Sequence, residues 1–512
     1  MNKESDLKVI VLDGETLTIE NAYKISMGAP IAIDTNCAEK IVRSRTLVEE
    51  LAKGDKPVYG VNTGVGWLAG TKIPPNKQKI LSRNVVISHA GGMGPSLDIH
   101  EIRLAMALRL NVFVKGYTGV RPILCKTLCD MINAHIYPYI PEYGSLGASG
   151  DLIPLSHIAL AMLGEGLSFY QNELIETKIA LKKAGIEPIV LETKEGLALI
   201  NGTQVMLSVG GLATLVGYSL CRQADLAAAL TYEAMVAHLD PLDPLIHRIR
   251  NHRYQAQTAT NMLNVLKGSY LFDEDTKHLR VQDPYSLRCA PQVHGASRDI
   301  ITYALDVCGC ELNAATDNPL VDVANKKILS GGNFHGQPLA IAFDSACLGV
   351  AELANISERR IEVLLNPHLS NLPAFLAKNA GIDSGLMLTQ YLAGSFVNEN
   401  KVLSHPASTD SIPGNVGIED HVSMGMTSAR KLKTVVRNTR QVLGIECIVA
   451  AQAIDMRNIT KLGVGTRKLY DIVRSEVPKL ENDRCFKDEL YFGSIALTRA
   501  TEELCTAGMN LQ

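Results

Sequence analysis

Apolar residues recur at three- and four-residue spacing along most of this chain, and that spacing predicts α-helices. The pattern runs longest over 338–365 and 424–456, beyond the usual length of a globular helix, which predicts long helices packed side by side. Shorter helical patterns cover 38–54 and 101–113, and another begins at Asp151. Near the N-terminus, VIVLDG and IAIDT predict short strands or turns. The chain is therefore predicted to be mainly α, with a smaller N-terminal region of mixed structure.

Two glycine-rich stretches interrupt the helical pattern. YGVNTGVGWLAG, residues 59–70, has too many glycines for a regular element, and glycine permits positive φ and close backbone approach. GSLGASGD, residues 144–151, leads into a helix with Pro154 in its first turn, where the missing N–H costs little. Because loops on a rigid scaffold often carry function, we expect catalytic residues in both stretches.

Composition narrows the class of protein. Aromatic residues make up only 5% of the chain, which favours close-packed helices, and a net charge of −3 gives no basic excess for nucleic acid or anionic membranes. The uncharged segment 196–221 is long enough to cross a bilayer, but its polar Asn-Gly-Thr-Gln run favours burial inside a helical protein.

Cysteine and histidine positions bear on cofactors and on the compartment. The 11 cysteines are scattered without a CxxC pair, which suggests neither a disulfide framework nor a zinc ribbon, and no histidine spacing places three metal ligands on one face. The N-terminal sequence is charged and lacks the apolar stretch of a secretory signal. We expect a cytoplasmic protein without a catalytic metal.

The GSLGASGD motif allows several kinds of chemistry. A glycine-rich turn before a helix can bind an anion, but the motif lacks the ending of a phosphate loop, the spacing of a dinucleotide site and the strand-borne GxSxG of a hydrolase. Ala148-Ser149-Gly150 also permits cyclisation, because Gly150 has no Cβ to block attack of its nitrogen on the Ala148 carbonyl. Loss of water, including the Ser149 hydroxyl, would leave a methylidene-imidazolone, a strong electrophile.

Further motifs follow one another along most of the chain, and together they resemble the aromatic amino-acid ammonia-lyase family, nearest to its histidine-specific members. They are YGVNTG (59–64), RNVVISHA (83–90), GSLGASGDLIPLSHIAL (144–160), EGLALINGTQ (195–204), VQDPYSLRC (281–289), ELNAATDNPL (311–320), GGNFHG (331–336) and EDHVSMG (419–425).

The resemblance implies a long-helix bundle of the fumarase/aspartase-like lyase type, with the electrophile loop in the N-terminal mixed region. It divides the chain into 1–205, a central bundle over 206–460 and a C-terminal helical segment over 461–512. It also implies a homotetramer with shared active sites, a small amino-acid substrate and a methylidene-imidazolone formed from Ala148, Ser149 and Gly150, without any external cofactor.

Catalytic roles follow from the same resemblance. Tyr59 matches the base that removes a β-proton, Tyr285 matches a second tyrosine facing the electrophile, and Arg288 matches the guanidinium that binds the substrate carboxylate in bidentate fashion. Contacts to the electrophile, the substrate or the pocket wall are implied for Asn201, Gln282, Asn313 and Phe334.

Substrate choice depends on His89 and Glu419, since an imidazole and a carboxylate can hydrogen-bond the imidazole of histidine. The prediction is elimination of ammonia from L-histidine to give trans-urocanate. A tyrosine or phenylalanine lyase, an aminomutase and a catalytically silent relative stay open as alternatives.

Two departures from the family pattern bear on this prediction. Gly417 and Ile418 stand where the family usually has Asn-Gln before the acidic residue, and Val65 replaces a usual Phe beside Trp67. The first departure puts turnover and substrate in doubt, and the second predicts a reshaped loop over the site.

Overall fold

The computed structural model describes residues 8–379 and 381–511, which form nineteen α-helices. In chain order they are α1 (Ile19–Ser26), α2 (Cys37–Ala52), α3 (Pro75–His89), α4 (Ile99–Val114), α5 (Pro122–Asn133), α6 (Leu152–Met162), α7 (Thr177–Ala184), α8 (Glu195–Ile200), α9 (Gln204–Ala234), α10 (Pro244–Arg250), α11 (Arg253–Leu266), α12 (Tyr285–Arg288), α13 (Ala290–Glu311), α14 (Gln337–Leu365), α15 (Pro367–Ser370), α16 (Met387–Leu403), α17 (Gly425–Met456), α18 (Val464–Glu476) and α19 (Lys487–Thr506).

Short strands form four small sheets in the described part of the chain. They are β1 (Ile10–Leu12) parallel to β2 (Ile31–Ile33); β3 (Met93–Ser96) antiparallel to β5 (Pro141–Tyr143); the antiparallel order β4 (Tyr137–Pro138), β6 (Leu167–Tyr170), β7 (Glu173–Glu176); and β8 (Leu320–Asp322) antiparallel to β9 (Lys327–Leu329). The strands predicted near the N-terminus are confirmed as β1 and β2.

The mainly helical fold predicted from apolar spacing is confirmed. The two longest patterns correspond to α14 and α17, and the shorter ones to α2, α4 and α6. Two further long helices, α9 and α13, were not predicted as such, because glycines and polar residues break their apolar spacing. The uncharged segment 196–221 lies largely in α9 and is mostly buried, as its polar content predicted.

Contacts between Cα atoms divide the chain into two compact units. The first comprises 1–212, 305–343 and 406–430, and the second comprises 213–304, 344–405 and 431–512. The division into 1–205, 206–460 and 461–512 stays a prediction.

Helix α4 is the central helix of the first unit. All of its residues from Glu101 to Val114 are buried, and the helix begins with a capping box in which the Glu101 carboxylate accepts from the Asp98 backbone N–H at 2.9 Å. A helix that is buried all round must satisfy its charged side chains internally. Arg109 does so by binding carbonyl groups: its guanidinium donates to Ala198 O at 2.6 Å and to Asn201 O at 2.7 Å.

The second unit has a buried carboxylate that ties three long helices together. Glu446 on α17 accepts hydrogen bonds from Thr231 on α9 at 2.7 Å and from Ser357 on α14 at 2.6 Å. Both of its oxygens also accept from the fully buried Arg360, at 2.5 and 2.8 Å. Removing one member would leave an unpaired buried charge, so the network fixes the relative register of the three helices within this unit.

Two helices of the described residues, α9 and α14, are long and apolar enough to cross a membrane. The most apolar stretch of each is 67% buried inside the protein. Burial of this extent is what core helices of a globular protein show.

The packing of α4 leads to a first prediction. Arg109→Met should lower the free energy of unfolding by about 3 kcal/mol, because the carbonyls of Ala198 and Asn201 lose their donor while they stay buried. Chemical denaturation measures the change. Arg43→Met, which removes a surface pair with Glu39, is the control and should change the free energy by less than about 0.5 kcal/mol. Equal effects of the two substitutions would contradict the structural role of Arg109.

Candidate active site

The Ala148-Ser149-Gly150 segment (the reactive segment) lies between β5 and α6. It is held by close backbone contacts that only glycine permits. Gly147 and Gly150 have φ of +75° and +74°. A Cβ on Gly150 would lie 2.1 Å from Gly202 O, and one on Gly147 would lie 2.2 Å from the Ser423 hydroxyl. Glycine is therefore required at both positions by conformation and by space.

The Gly202 backbone flanks the segment on one side. Gly202 pairs with Gly150 in an isolated parallel bridge, and its carbonyl accepts from the Asp151 N–H at 2.7 Å. Gly202 is itself confined, because a Cβ there would come within 2.5 Å of the Arg109 guanidinium. The guanidinium that anchors α8 to α4 thus also fixes the surface against which the reactive segment lies.

The chain from Glu419 to Met424 flanks the segment on another side. The Ser423 hydroxyl and N–H donate to Gly147 O at 3.2 and 3.3 Å, and the Met424 N–H donates to Leu146 O at 3.2 Å. These bonds bring Glu419 to the reactive segment: the Ser149 hydroxyl donates to Glu419 Oε1 at 3.4 Å. Within the described residues Glu419 Oε2 has no hydrogen-bond partner.

Tyr59 is presented by a tight turn that packs into the apolar core. The Asn62 side chain accepts from the Val58 N–H at 2.7 Å and closes the turn. Val61 then enters a buried cluster with residues of α2 and β8. The half-buried phenol oxygen of Tyr59 accepts from the Gly66 N–H at 3.3 Å. A backbone donor at this position stabilises negative charge on the phenol oxygen.

Asn201 follows the last residue of α8 and is buried, with its backbone carbonyl held by Arg109 at 2.7 Å. Its side-chain Oδ1 is buried without any hydrogen-bond partner in the described part of the protein. An orphaned acceptor of this kind carries a desolvation cost unless a ligand supplies an N–H or O–H donor. The next residue is Gly202, so this side chain is carried by the residue adjacent to the backbone that lines the reactive segment.

His89 ends α3 with one ring nitrogen already bound. Its Nδ1 lies 2.7 Å from Val85 O and 3.1 Å from the Ser88 hydroxyl. Because a carbonyl only accepts, Nδ1 carries the proton in the neutral ring and Nε2 is left as an acceptor. His89 and Glu419 thus offer an acceptor nitrogen and an unbonded carboxylate oxygen, respectively.

Two further predicted site residues of the first unit lie in different settings. Phe334 is half-buried in the stretch before α14. The Asn313 side chain accepts from the Leu17 N–H at 3.0 Å and donates to Leu17 O at 2.9 Å, and it also accepts from Asn111 at 3.3 Å. Both polar atoms of the Asn313 amide are therefore engaged in holding the N-terminal segment.

Gln282, Tyr285 and Arg288 belong to the second unit. Helix α12 is a single turn that begins at Tyr285, and the Arg288 guanidinium lies 4.3 Å from the centre of the Tyr285 ring. The Tyr285 side chain is 70% exposed and Val281, just before Gln282, is 99% exposed. Gln282 and Tyr285 are exposed, whereas Arg288 is half-buried and its Nε is buried. The buried Tyr232 hydroxyl supports this turn by donating to Leu287 O at 2.9 Å.

Two residues that shape this site, Arg109 and Gly202, are not among those predicted from the sequence. Both carry a signal in the sequence. Arg109 is a charge inside an otherwise apolar helical pattern, which indicates a buried and partnered guanidinium. Gly202 follows Asn201, and Asn-Gly is a strong turn signal.

The helical fold and a glycine-confined Ala-Ser-Gly segment within hydrogen-bond distance of a carboxylate are those of a carbon–nitrogen lyase. A family model described as aromatic amino acid lyase matches residues 17–475, and the chain belongs to this family.

Relatives of the chain cover almost its whole length. It is 47% identical to the histidine ammonia-lyase of Alkaliphilus metalliredigens, over 93% of this chain and 94% of that protein. Among solved structures, histidine ammonia-lyase from Trypanosoma cruzi is 40% identical with a TM-score of 0.89, over 98% and 95% of the two chains. Tyrosine aminomutase from Streptomyces globisporus is 37% identical with a TM-score of 0.93, over 99% and 100%. The resemblance read from the motifs is thereby confirmed.

Asp151 gives this site a pH-dependent contribution to stability. Burial raises the pKa of its carboxyl to about 6, against hydrogen bonds from the Met206 N–H at 2.7 Å and the Ser145 hydroxyl at 2.8 Å that lower it. Since the pKa is higher in the folded than in the unfolded state, the folded state binds more protons between the two values. Stability from this group therefore falls as pH rises from about 4 to about 6.

Asp151→Asn removes this titration. The free energy of unfolding of the wild type, relative to the variant, should fall by about 2 kcal/mol between about pH 4.5 and about pH 7. Urea denaturation at the two pH values measures it. A difference that is constant with pH would contradict the assignment.

Proposed function

We propose that this chain catalyses the non-oxidative elimination of ammonia from L-histidine, giving trans-urocanate. The observation that carries the proposal is the position of the Glu419 carboxylate, whose Oε1 lies 3.4 Å from the Ser149 hydroxyl that cyclisation would remove. A carboxylate facing a phenyl or phenol ring would lose hydration without a matching donor at the ring carbons, whereas the imidazole N–H of histidine supplies that donor. The relatives named histidine ammonia-lyase support the same substrate.

The residues around Ala148, Ser149 and Gly150 fit a methylidene-imidazolone closed from these three residues. Gly150 has the left-handed conformation and lacks a Cβ, and the side-chain Oδ1 of Asn201, next to Gly202, has no hydrogen-bond partner among the described residues. Such a group supplies an electrophile, stronger than any ordinary side chain, that makes the substrate amino group a better leaving group.

The chain's own residues bind the substrate and move its proton. Asn201 Oδ1 accepts a hydrogen bond from the substrate amino group, and Glu419 accepts from the imidazole N–H while His89 contacts the imidazole ring. Tyr59, once its proton is lost, takes the β-proton, while the Gly66 N–H stabilises the phenolate oxygen. Asn313 is left out of the substrate contacts, because its amide is engaged with Leu17.

We further propose that the chain acts as a cytoplasmic homotetramer, in which Gln282, Tyr285 and Arg288 serve the reaction after assembly. The outward presentation of Tyr285 supports this, since large exposed side chains commonly mark association surfaces. Helix α16 also exposes Leu388, Tyr391 and Val402, which are 58%, 62% and 68% accessible. Arg288 then holds the substrate carboxylate by a bidentate contact.

Turnover should therefore depend on assembly. Dilution that yields monomers should abolish urocanate formation, because each monomer would lack part of the catalytic set. Sedimentation and rate measurements on the same dilution series test this, and full activity in a demonstrated monomer would refute shared sites.

A substrate panel read by ultraviolet absorbance tests the reaction. L-Histidine should give the near-ultraviolet band of urocanate, and Glu419→Gln should lower kcat/KM for L-histidine about 100-fold, because the carboxylate no longer accepts the imidazole N–H as an anion. The exposed Glu173→Gln is the matched control and should behave as wild type. Coumarate or cinnamate formed in place of urocanate would show that the substrate assignment is wrong.

The mass of a peptide that contains the Ala-Ser-Gly segment distinguishes a variant that fails to turn over substrate from one that fails to cyclise. A peptide spanning 142–151 should show the loss of water that cyclisation requires in wild type and in Glu419→Gln, and no such loss in the inactive Ser149→Ala variant. An unmodified wild-type peptide would favour a catalytically silent member of the family.

An aminomutase acting on tyrosine is the second candidate. The similarity to the tyrosine aminomutase of Streptomyces globisporus, with a TM-score of 0.93, is the observation in its favour. Formation of a β-amino acid from tyrosine in the same panel would select this alternative.

A further inference from the structure

The loop before Glu419 is a closed turn with an unusual backbone. The Gly414 N–H donates to Glu419 O at 2.9 Å and closes the turn, while Asn415 and Val416 have positive φ of 49° and 56°. Val416 and Ile418 point outward, with 76% and 57% of their side chains accessible. Asparagine tolerates the left-handed conformation better than most residues, so position 415 suits the turn.

The Asn415 side chain bridges two loops of the site. Its Oδ1 accepts from the Trp67 N–H at 3.2 Å, and its Nδ2 donates to Glu419 Oε1 at 3.3 Å. A backbone N–H can only donate and a carboxylate can only accept, so the two partners fix one orientation of the amide. No other side chain of the turn can replace it, because Val416, Gly417 and Ile418 have no polar side-chain atom.

The opposite loop is shaped to receive this amide. Gly66 has φ of +57°, and a Cβ there would lie 2.1 Å from Asn415 Nδ2. The same Gly66 donates its N–H to the phenol oxygen of Tyr59 at 3.3 Å. A single amide is thus in contact with the backbone that supports Tyr59 and with the carboxylate that reaches Ser149.

We propose that Asn415 is a positioning residue for substrate selection: its amide holds Glu419 in the orientation that leaves Oε2 for the substrate and couples that carboxylate to the Tyr59 loop. The inference rests on the proposed function for the identity of the substrate. Nδ2 donates to Oε1 and leaves Oε2 without a hydrogen bond among the described residues, and the bond from the Trp67 N–H holds the amide in the orientation that presents Nδ2 to the carboxylate.

Asn415→Asp tests the bond to Glu419 separately from the bond to Trp67, because the two side chains are almost equal in size. The aspartate keeps an acceptor for the Trp67 N–H but places a second negative charge against Glu419. We expect KM for L-histidine to rise about tenfold with kcat within about threefold of wild type. The acid limb of the kcat/KM profile should also move to higher pH, since a neighbouring negative charge favours the protonated form of a carboxyl.

Asn415→Ala removes both bonds. We expect a higher KM together with a lower kcat, and amide hydrogen exchange at Trp67 about tenfold faster than in wild type, whereas Asn415→Asp leaves this exchange unchanged. Val416→Ala, in the same exposed turn, is the control and should match wild type in every measurement. If Asn415 only stabilised the loop, the acid limb of the pH profile would not shift in Asn415→Asp and stay unchanged in Asn415→Ala.

Two results would overturn the inference: an unchanged KM and pH profile in Asn415→Asp, or an unchanged Trp67 exchange rate in Asn415→Ala. The wild-type substrate panel reports separately on the proposed function. If the wild type turns over a different amino acid, the variants are compared on that substrate, so a wrong substrate and a wrong role for Asn415 give different results.

Discussion

A buried guanidinium on α4 is the interaction on which the candidate site depends. Arg109 has no carboxylate in direct contact, and burial lowers its pKa to about 10 although the charge of Asp317 acts in the opposite direction. It donates to the carbonyls of Ala198 and Asn201 at the end of α8, and also to Gln204 Oε1 at 2.9 Å and Thr316 O at 3.5 Å. The energy of burying this charge is offset only while those carbonyls stay in place, so the backbone at Asn201 and Gly202 is held rigidly. The reactive segment lies against that backbone.

Much of the fold could be predicted from the sequence, because apolar periodicity reports directly which face of a helix is buried. The long helices α14 and α17 and the helix after Asp151 were found this way. Helices α9 and α13 were not identified as long helices, since glycines in them serve close helix packing and interrupt the apolar pattern: a Cβ at Gly210 would meet Phe343 at 2.3 Å. Such a requirement comes from tertiary contact and leaves no local signature.

The site was predictable to a more limited extent. Motif resemblance named Tyr59, Ser149 and Glu419, and the structure brings Ser149 and Glu419 into hydrogen-bond distance. The motif resemblance could not show that the Asn313 amide is engaged with the N-terminal segment, because that contact joins residues 296 positions apart. Long-range pairings of this kind depend on the fold as a whole and are invisible to local patterns.

The turn before Glu419 shows how a local departure from a family pattern can be compensated elsewhere in the same loop. Ile418 presents an apolar side chain to the outside, and Gly417 has no side chain, so neither can orient the carboxylate. A polar amide is instead supplied three residues before Ile418, from a backbone conformation that few residues adopt. Function at such a site depends on the location of the donor atom in space and not on the sequence position of the residue that carries it.

The close approach of Gly66 to the Asn415 amide has an evolutionary consequence. Any side chain at position 66 would occupy the space of the amide, and loss of the amide at 415 would remove this steric constraint and leave only the preference of a positive φ for glycine. The two positions, 349 residues apart in the chain, therefore form an epistatic pair in which the fitness of one residue depends on the other. Directed evolution that varies one loop at a time would meet this pair as a barrier, whereas libraries that vary both loops together could cross it.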